Sequence, residues 1–190
     1  MSSCIWVYAE PILSLHLTEN LKVKDWTTPL YFGVFSLGYL AAASTIFCSD
    51  IKSWDPSILS PVSFMITGVL HLLLVASFEN ENVTLITSAL GLFLMSFFST
   101  FTLVPIYSKM IRSLDEHFDF ELVSRQEVID KSSSLSVFFK SLAQISAPIY
   151  ATQMYSSAGY QMLFSLTGGI CVVYGIILYF ALRQSTIKDH

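Results

Sequence analysis

The stretch 160–182, YQMLFSLTGGICVVYGIILYFAL, decides the fold of this chain. It runs for 23 residues without a single charged side chain. An apolar run of this length is long enough to cross the hydrocarbon layer of a membrane, roughly 30 Å thick, as an α-helix. We therefore expect this stretch to be a transmembrane helix.

Five other stretches resemble it in length. Three are equally apolar, whereas the first and fifth spans of the chain also carry polar residues, Glu10 and His16 in one and Lys140 and Gln144 in the other. The pattern predicts an all-α polytopic membrane protein, with residues 1–190 forming one domain of six transmembrane helices. The predicted spans are 3–18, 29–47, 58–78, 85–106, 133–155 and 160–182.

The composition agrees with a membrane protein. Of the 190 residues, 53% are hydrophobic and only 13% are charged, and the mean hydropathy is +0.60. Soluble domains carry charge on about 25% of their residues. This composition excludes a soluble globular enzyme, and a net charge of -4 offers no basic surface for nucleic acid.

The positive charges predict an orientation. With six spans, both termini lie on the same side as the second and fourth loops, and this side holds seven of the ten Lys and Arg residues. The opposite side holds only Lys22 and Lys24. Since cytoplasmic loops carry the excess of Lys and Arg, both termini are predicted to be cytoplasmic. The seven are Lys52, Lys109, Arg112, Arg125, Lys131, Arg183 and Lys188.

The long fourth loop, 107–132, is predicted to be cytoplasmic. Within it, residues 113–130 place apolar side chains at Leu114, Phe118 and Leu122. This spacing suits a helix lying along the membrane surface, and it suits a plain amphipathic connector equally well.

No pattern in the chain indicates catalysis, a metal or a cofactor. The sequence has no HExxH, GxSxG, P-loop or GxGxxG motif. Its three cysteines are far apart in apolar surroundings, without metal-ligand spacing. We predict a protein that is not an enzyme, and we interpret the two histidines inside spans, His16 and His71, as packing residues.

Two charged residues inside spans require a reason, because a charge at the centre of a membrane helix costs roughly 2.5–3.5 kcal/mol on insertion scales. Glu10 and Lys140 each lie about eight residues into a span that runs outward from the cytoplasmic side. Their matched depth makes a Glu10–Lys140 ion pair one hypothesis. The other is that the two side chains face different cavities or reach separately toward the membrane surface.

Polar residues accompany both charges. In the fifth span, small and polar residues recur every three or four positions, at Ser133, Ser136, Lys140, Gln144 and Ala147. Ser14 follows Glu10 by one helical turn. A helix with one polar face in a membrane bundle is typical of a transport pathway, which makes Glu10, Ser14, Ser136, Lys140 and Gln144 the candidate substrate or proton pathway.

Three short motifs resemble the C-terminal half of a major facilitator superfamily transporter, nearest to the vesicular amine and polyamine branch. Residues 10–15, EPILSL, are similar to the acidic residue and proline of the seventh helix of that family. Residues 49–52, SDIK, resemble the motif between its eighth and ninth helices, in which Ser49, Asp50 and Lys52 take part. Residues 133–161, with Pro148, resemble its eleventh helix and the entry to the twelfth.

The resemblance implies a carrier of a small organic solute, cationic and coupled to protons, with Glu10 as a proton or substrate site. The chain departs from the family pattern where glycines are expected, at Ile46 or Phe47 and at Tyr150, and Lys140 is unusual for the branch. Carriers of this kind consist of two six-helix halves. The expected partners are therefore the lipid bilayer and a second six-helix half. The alternative is a structural subunit of a larger membrane complex that no longer transports.

Overall fold

The chain is described by a computed structural model at residues 2–19, 22–48, 55–75, 81–117 and 125–188. The described residues form five α-helices and one short 3-10 helix, Asp25–Thr27, with no β-strand among them. The α-helices are α1 (Ser2–Glu19), α2 (Thr28–Cys48), α3 (Pro56–Val75), α4 (Glu81–His117) and α5 (Arg125–Lys188). The all-α prediction is confirmed.

Four of these helices contain a stretch that is long and apolar enough to cross a membrane. The stretches are Thr28–Cys48, Ile58–Val75, Val83–Thr102 and Ile129–Arg183. They contain all of the second, fifth and sixth predicted spans and most of the third and fourth. The first predicted span, 3–18, falls on α1, which is helical but more polar than these four.

The last apolar stretch is not one continuous helix, because α5 is kinked at Gly159. This residue has φ 80° and ψ 175°, a conformation with positive φ that glycine adopts without steric strain. The kink divides α5 into two arms, α5a (125–158) and α5b (160–188). The break expected between the fifth and sixth spans is thus confined to a single residue.

The two arms of α5 fold back on each other. The Tyr8 hydroxyl of α1 interacts electrostatically with the Tyr150 hydroxyl on α5a and also with the Cys171 thiol on α5b. In a straight helix these two residues would be about 31 Å apart. Both can therefore lie beside Tyr8 only if α5 is a helical hairpin with Gly159 at its turn.

The loop predicted at 107–132 is largely helical. Helix α4 continues through His117, and α5 begins at Arg125, so that residues 113–117 and 125–130 belong to two different helices. No separate surface helix is formed by the described part of 113–130. The segment 107–117 contains neither glycine nor proline, and nothing in it stops the helix where the apolar residues end.

Close backbone contacts hold α3 against α5b and α2 against α4. A Cβ atom placed on Gly68 of α3 would lie 2.6 Å from the carbonyl oxygen of Gly168 on α5b, and the reverse distance is also 2.6 Å. Gly38 of α2 lies against the carbonyl of Phe93 on α4 in the same way. Small residues permit this approach, as they do in membrane helix bundles.

The relative directions of the helices follow from pairs of contacts. Helices α2 and α4 are parallel, because the Tyr31 hydroxyl donates to the Leu85 carbonyl (3.0 Å) and Gly38 contacts Phe93. Helices α3 and α4 are antiparallel, with Ser60 beside Thr102 at one end and Gly91 beside Leu73 at the other.

Helix α1, like α4, has one antiparallel and one parallel neighbour. It is antiparallel to α5b, because Tyr8 packs on Phe164 and His16 on Tyr160. It is therefore parallel to the other arm of the hairpin, α5a. Exchanging α1 with α4, α2 with α5a and α3 with α5b thus turns the α2–α4 pair into the α5a–α1 pair and the α3–α4 pair into the α5b–α1 pair, with the same directions.

A polar and aromatic cluster at the meeting of three helices

The predicted polar face of α5a exists in the structure and is open. Ser133, Lys140 and Gln144 are exposed and Ser136 is half-buried. Lys140 lies two turns from Ala147 on the same face of the helix, and Ala147 is buried. The polar stripe is thus the continuation, toward the start of α5a, of the face that packs into the bundle.

The opposite face of α5a is exposed and apolar. Its large side chains are each more than half exposed and recur every three or four positions, at Leu135, Phe138, Leu142, Ile145 and Ile149. Helix α5a therefore has two open faces of opposite character. The apolar one suits contact with lipid, and the polar one does not.

The hypothesis of a Glu10–Lys140 ion pair stays a prediction. Lys140 is exposed on α5a, whereas the Glu10 side chain belongs to the part of the chain that the structure does not describe.

The other predicted site residues are not brought together. Ser14 is half-buried on α1, and its backbone carbonyl accepts a hydrogen bond from the Thr18 hydroxyl (3.0 Å). The Glu10 side chain and the motif Ser49, Asp50 and Lys52 lie outside what the structure describes. Their assignment to a substrate or proton pathway stays a prediction.

A buried cluster that the sequence did not predict lies where α1, α3 and α5 meet. Its centre is His71 of α3, which has no solvent exposure. The ring centroid of Tyr8 is 6.1 Å from that of His71, and the centroid of Phe164 is 5.5 Å from that of Tyr8. Tyr160 packs on Phe164 at 4.5 Å and continues the cluster to His16, whose ring stacks on it at 3.7 Å.

The hydrogen bonding of His71 determines its tautomer. Its Nδ1 lies 2.7 Å from the Thr67 carbonyl, one turn earlier on α3. A carbonyl only accepts, so Nδ1 carries the proton and donates it to this hydrogen bond. In the neutral imidazole, Nε2 is then an acceptor with a free lone pair.

Four buried polar atoms of this cluster have no hydrogen-bond partner among the described residues. They are His71 Nε2 and the hydroxyl oxygens of Tyr8, Tyr150 and Tyr160. The Tyr8 hydroxyl interacts electrostatically with both of the other tyrosines. Unpaired buried polar atoms are rare in folded proteins, and several in one place indicate a site that binds something.

No known protein family, curated protein or solved structure matches this chain. The site therefore has to be interpreted from its own geometry.

The sequence offered little that could have located this cluster. His71 was interpreted as a packing residue, which agrees with its burial but not with its unpaired Nε2. The tautomer is fixed by a backbone carbonyl, which every residue has, so the sequence carries no signal for it. The three tyrosines are separated by up to 152 positions (8 to 160), and no periodicity connects them.

Proposed function

We propose that this chain is a six-span membrane unit that transports a small organic solute, as one half of a major-facilitator-type carrier with both termini in the cytoplasm. The main supporting observation is the correspondence between the first three helical segments and the next three. When the two sets are exchanged, the parallel α2–α4 pair and the antiparallel α3–α4 pair each become another pair of the bundle with the same direction.

This pattern supports the proposal because it is that of an inverted repeat. The halves of major facilitator carriers contain two three-helix repeats of inverted topology. In this chain the repeats are α1 to α3 and α4 to α5b. The parallel pair α2 and α4 corresponds to α5a and α1, and the antiparallel pair α3 and α4 corresponds to α5b and α1.

The dimensions of the helices support six crossings. The apolar stretch Ile129–Arg183 has 55 residues, which would extend about 82 Å as a straight helix. The kink at Gly159 divides it into two parts, each longer than the roughly 20 residues that one crossing needs. With α1 as the first span, the number of crossings is six.

The open polar face of α5a supports a role in transport. In a membrane, a lysine on this face cannot be exposed to lipid without a cost of roughly 2.5–3.5 kcal/mol. Lys140 and Gln144 are exposed in the isolated chain and so require either water or another protein next to them. A second six-helix half, with a water-filled pathway between the halves, provides both.

Cysteine labelling tests this proposal. In a variant whose native cysteines are replaced, Lys140→Cys and Gln144→Cys should react with a membrane-impermeant maleimide in permeabilised membranes. The matched controls, Leu142→Cys and Ile145→Cys on the apolar face of the same helix, should react at least tenfold more slowly. Equal and fast labelling of all four positions would show that α5a is not in the membrane.

The same experiment separates the alternative function. The alternative is a structural subunit of a larger membrane complex, in which another protein would cover the polar face. In that case Lys140→Cys and Gln144→Cys would be as slow to react as the two controls, and cross-linking from position 140 would capture a partner in fixed proportion. Fast labelling of the polar face alone supports the carrier.

A further inference from the structure

We propose that Tyr8, His71, Tyr150 and Tyr160 form a binding site for a neutral hydroxyl group inside the helix bundle. The hydroxyl belongs either to a water molecule or to a bound solute. This inference goes beyond the proposed carrier function and does not depend on it, because it rests on the unpaired polar atoms and their surroundings alone.

The burial of these side chains requires a hydrogen-bonding ligand. His71 has no exposure, Tyr8 is 2% exposed and Tyr160 is 8% exposed. Bulk water therefore does not reach their polar atoms, and the described residues supply no partner for them. Each unpaired atom would cost about as much free energy as a lost hydrogen bond, and four such costs would fall on one small region.

The four atoms also specify what the ligand must do. His71 Nε2 only accepts, because the proton of the ring is on Nδ1, so the ligand has to donate a hydrogen bond. The tyrosine hydroxyls can both donate and accept, so they can pair with either side of such a ligand. A hydroxyl group can donate to Nε2 and accept from a tyrosine, whereas a carboxylate cannot donate to Nε2.

The surroundings favour a neutral ligand. The described buried side chains include no Lys, Arg, Asp or Glu. The Tyr8 hydroxyl also lies near the Thr167 hydroxyl, without a hydrogen bond of acceptable geometry, and near the Cys171 thiol, and neither of these groups carries a formal charge. A formal charge placed here would be neither solvated nor compensated, which is unfavourable in a protein interior. Water needs two to four polar partners, and this cluster provides them.

Three of the rings that carry these polar atoms are packed together. The rings of Tyr8 and His71 lie within 18° of parallel, with centroids 6.1 Å apart. Both pack on Phe164, which also contacts Tyr160. The cluster therefore has aromatic walls and polar groups from three separate helices.

Nitrogen NMR of the full chain in lipid nanodiscs tests the site. The protein is labelled with 15N-histidine, and the His71 resonances are assigned by their loss in His71→Gln. We expect a neutral ring protonated at Nδ1, with Nε2 shifted as a hydrogen-bonded acceptor. Magnetisation transfer between Nε2 and water, without any added solute, would identify the ligand as water.

The second arm uses glycerol as the probe for a solute hydroxyl. A hydrogen-bonded Nε2 that appears only when glycerol is added, at concentrations that leave the other histidines unchanged, would identify a solute hydroxyl. An Nε2 resonance without a hydrogen bond, both with and without glycerol, would overturn the proposal. This outcome says nothing about transport, and so the two proposals can fail separately.

Removal of one hydroxyl provides an independent test that uses the sign of the effect. With a ligand bound, Tyr160→Phe removes one of its partners, and we expect a melting temperature about 2–4 °C lower. In a site without ligand, the same substitution removes an unpaired polar atom, and the melting temperature would rise or stay the same. The matched control is Tyr174→Phe, whose ring contacts Phe64 edge-on from an exposed position, and it should have no effect.

Discussion

The two arms of α5 have similar lengths and run in opposite directions, but they pack in different ways. Arm α5b contacts α3 through its backbone, with Gly168 against Gly68 and Gly175 against the Pro61 carbonyl. Arm α5a contacts the bundle through alanines and leaves a polar face open. The difference shows that one arm holds the bundle together, whereas the other presents a surface to whatever lies beside it.

The largest effect is expected from a side chain in the contact between α3 and α5b. Gly168→Leu places its Cβ atom 2.6 Å from the Gly68 carbonyl oxygen, so one of the two backbones has to move. We expect a loss of about 3 kcal/mol or more, at the upper end of the range for overpacking. The measurement is thermal unfolding of the purified protein in detergent.

The neighbouring residue is the matched control for this substitution. Gly169 is exposed, and a Cβ atom there would have no atom within 4 Å. Gly169→Leu should therefore leave the melting temperature unchanged or raise it slightly, because leucine favours a helix more than glycine does. Equal losses at the two positions would remove the distinction between tight and open faces of α5b.

A substitution on the packed face of α5a should have a smaller effect. Ala151 is fully buried, and Ala151→Leu should cost about 1–3 kcal/mol because the added atoms have to displace neighbouring side chains rather than a backbone. Ser141→Leu, on an exposed position of the same arm, is the control and should cost nothing measurable. Chemical unfolding of both variants and of Gly168→Leu compares how much stability each arm loses when a side chain is added to its packed face. A larger loss of unfolding free energy for Ala151→Leu than for Gly168→Leu would contradict the expected order.

The joint between the arms should be sensitive to its backbone conformation alone. A Cβ atom at Gly159 would contact nothing, but φ is 80° there. Gly159→Ala should therefore cost about 1–3 kcal/mol through backbone strain. Since no contact is lost, the circular dichroism spectrum of the folded variant should be that of the wild type, and thermal unfolding should show the loss of stability. A gain in stability would show that the hairpin turn is not at this residue.

The smallest effect is expected at the start of α5a. Lys131 Nζ lies 2.7 Å from Glu127 Oε1, and this hydrogen bond lowers the pKa of the Glu127 carboxyl below its ordinary value of 4.5. The pair therefore stabilises the fold above about pH 4.5 and loses that contribution as the pH falls through the lowered pKa. Both side chains are exposed, so the effect is small.

Unfolding measured against pH checks this. Glu127→Gln should match the wild type at low pH and fall only marginally below it at neutral pH. A large difference at neutral pH would mean that Glu127 has a partner other than Lys131. Gln126, which donates to Asp130 (3.1 Å) on the same turn, offers Gln126→Ala as a control for the loss of an exposed contact without a change of charge.

The helices themselves were largely predictable. The spans 29–47 and 85–106 lie within α2 and α4, and the sixth span begins at Tyr160, immediately after the kink. Apolar composition over about 20 residues is a local property and can be read from the sequence. The ends were less predictable, because α4 runs on to His117 where the apolar residues have stopped. Helix propensity continues there after hydropathy no longer gives a signal.

The polar stripe of α5a was predictable for the same reason. Ser136, Lys140 and Gln144 recur at helical spacing, which depends only on neighbouring positions. The position of α1 along α5 was not predictable, because it is set by contacts between residues far apart in the chain, such as His16 on Tyr160.

By itself, the sequence determined that this chain forms long apolar helices, one of them with a polar face, because hydropathy and helical periodicity are local. Only the tertiary structure decided that α5 doubles back at Gly159 and that Tyr8, His71 and Tyr160 meet in the interior. Which helices approach closely depends on where small residues of different helices coincide, as Gly68 and Gly168 do. The unpaired polar atoms of the buried cluster are a consequence of that packing, and no single helix contains the information to place them.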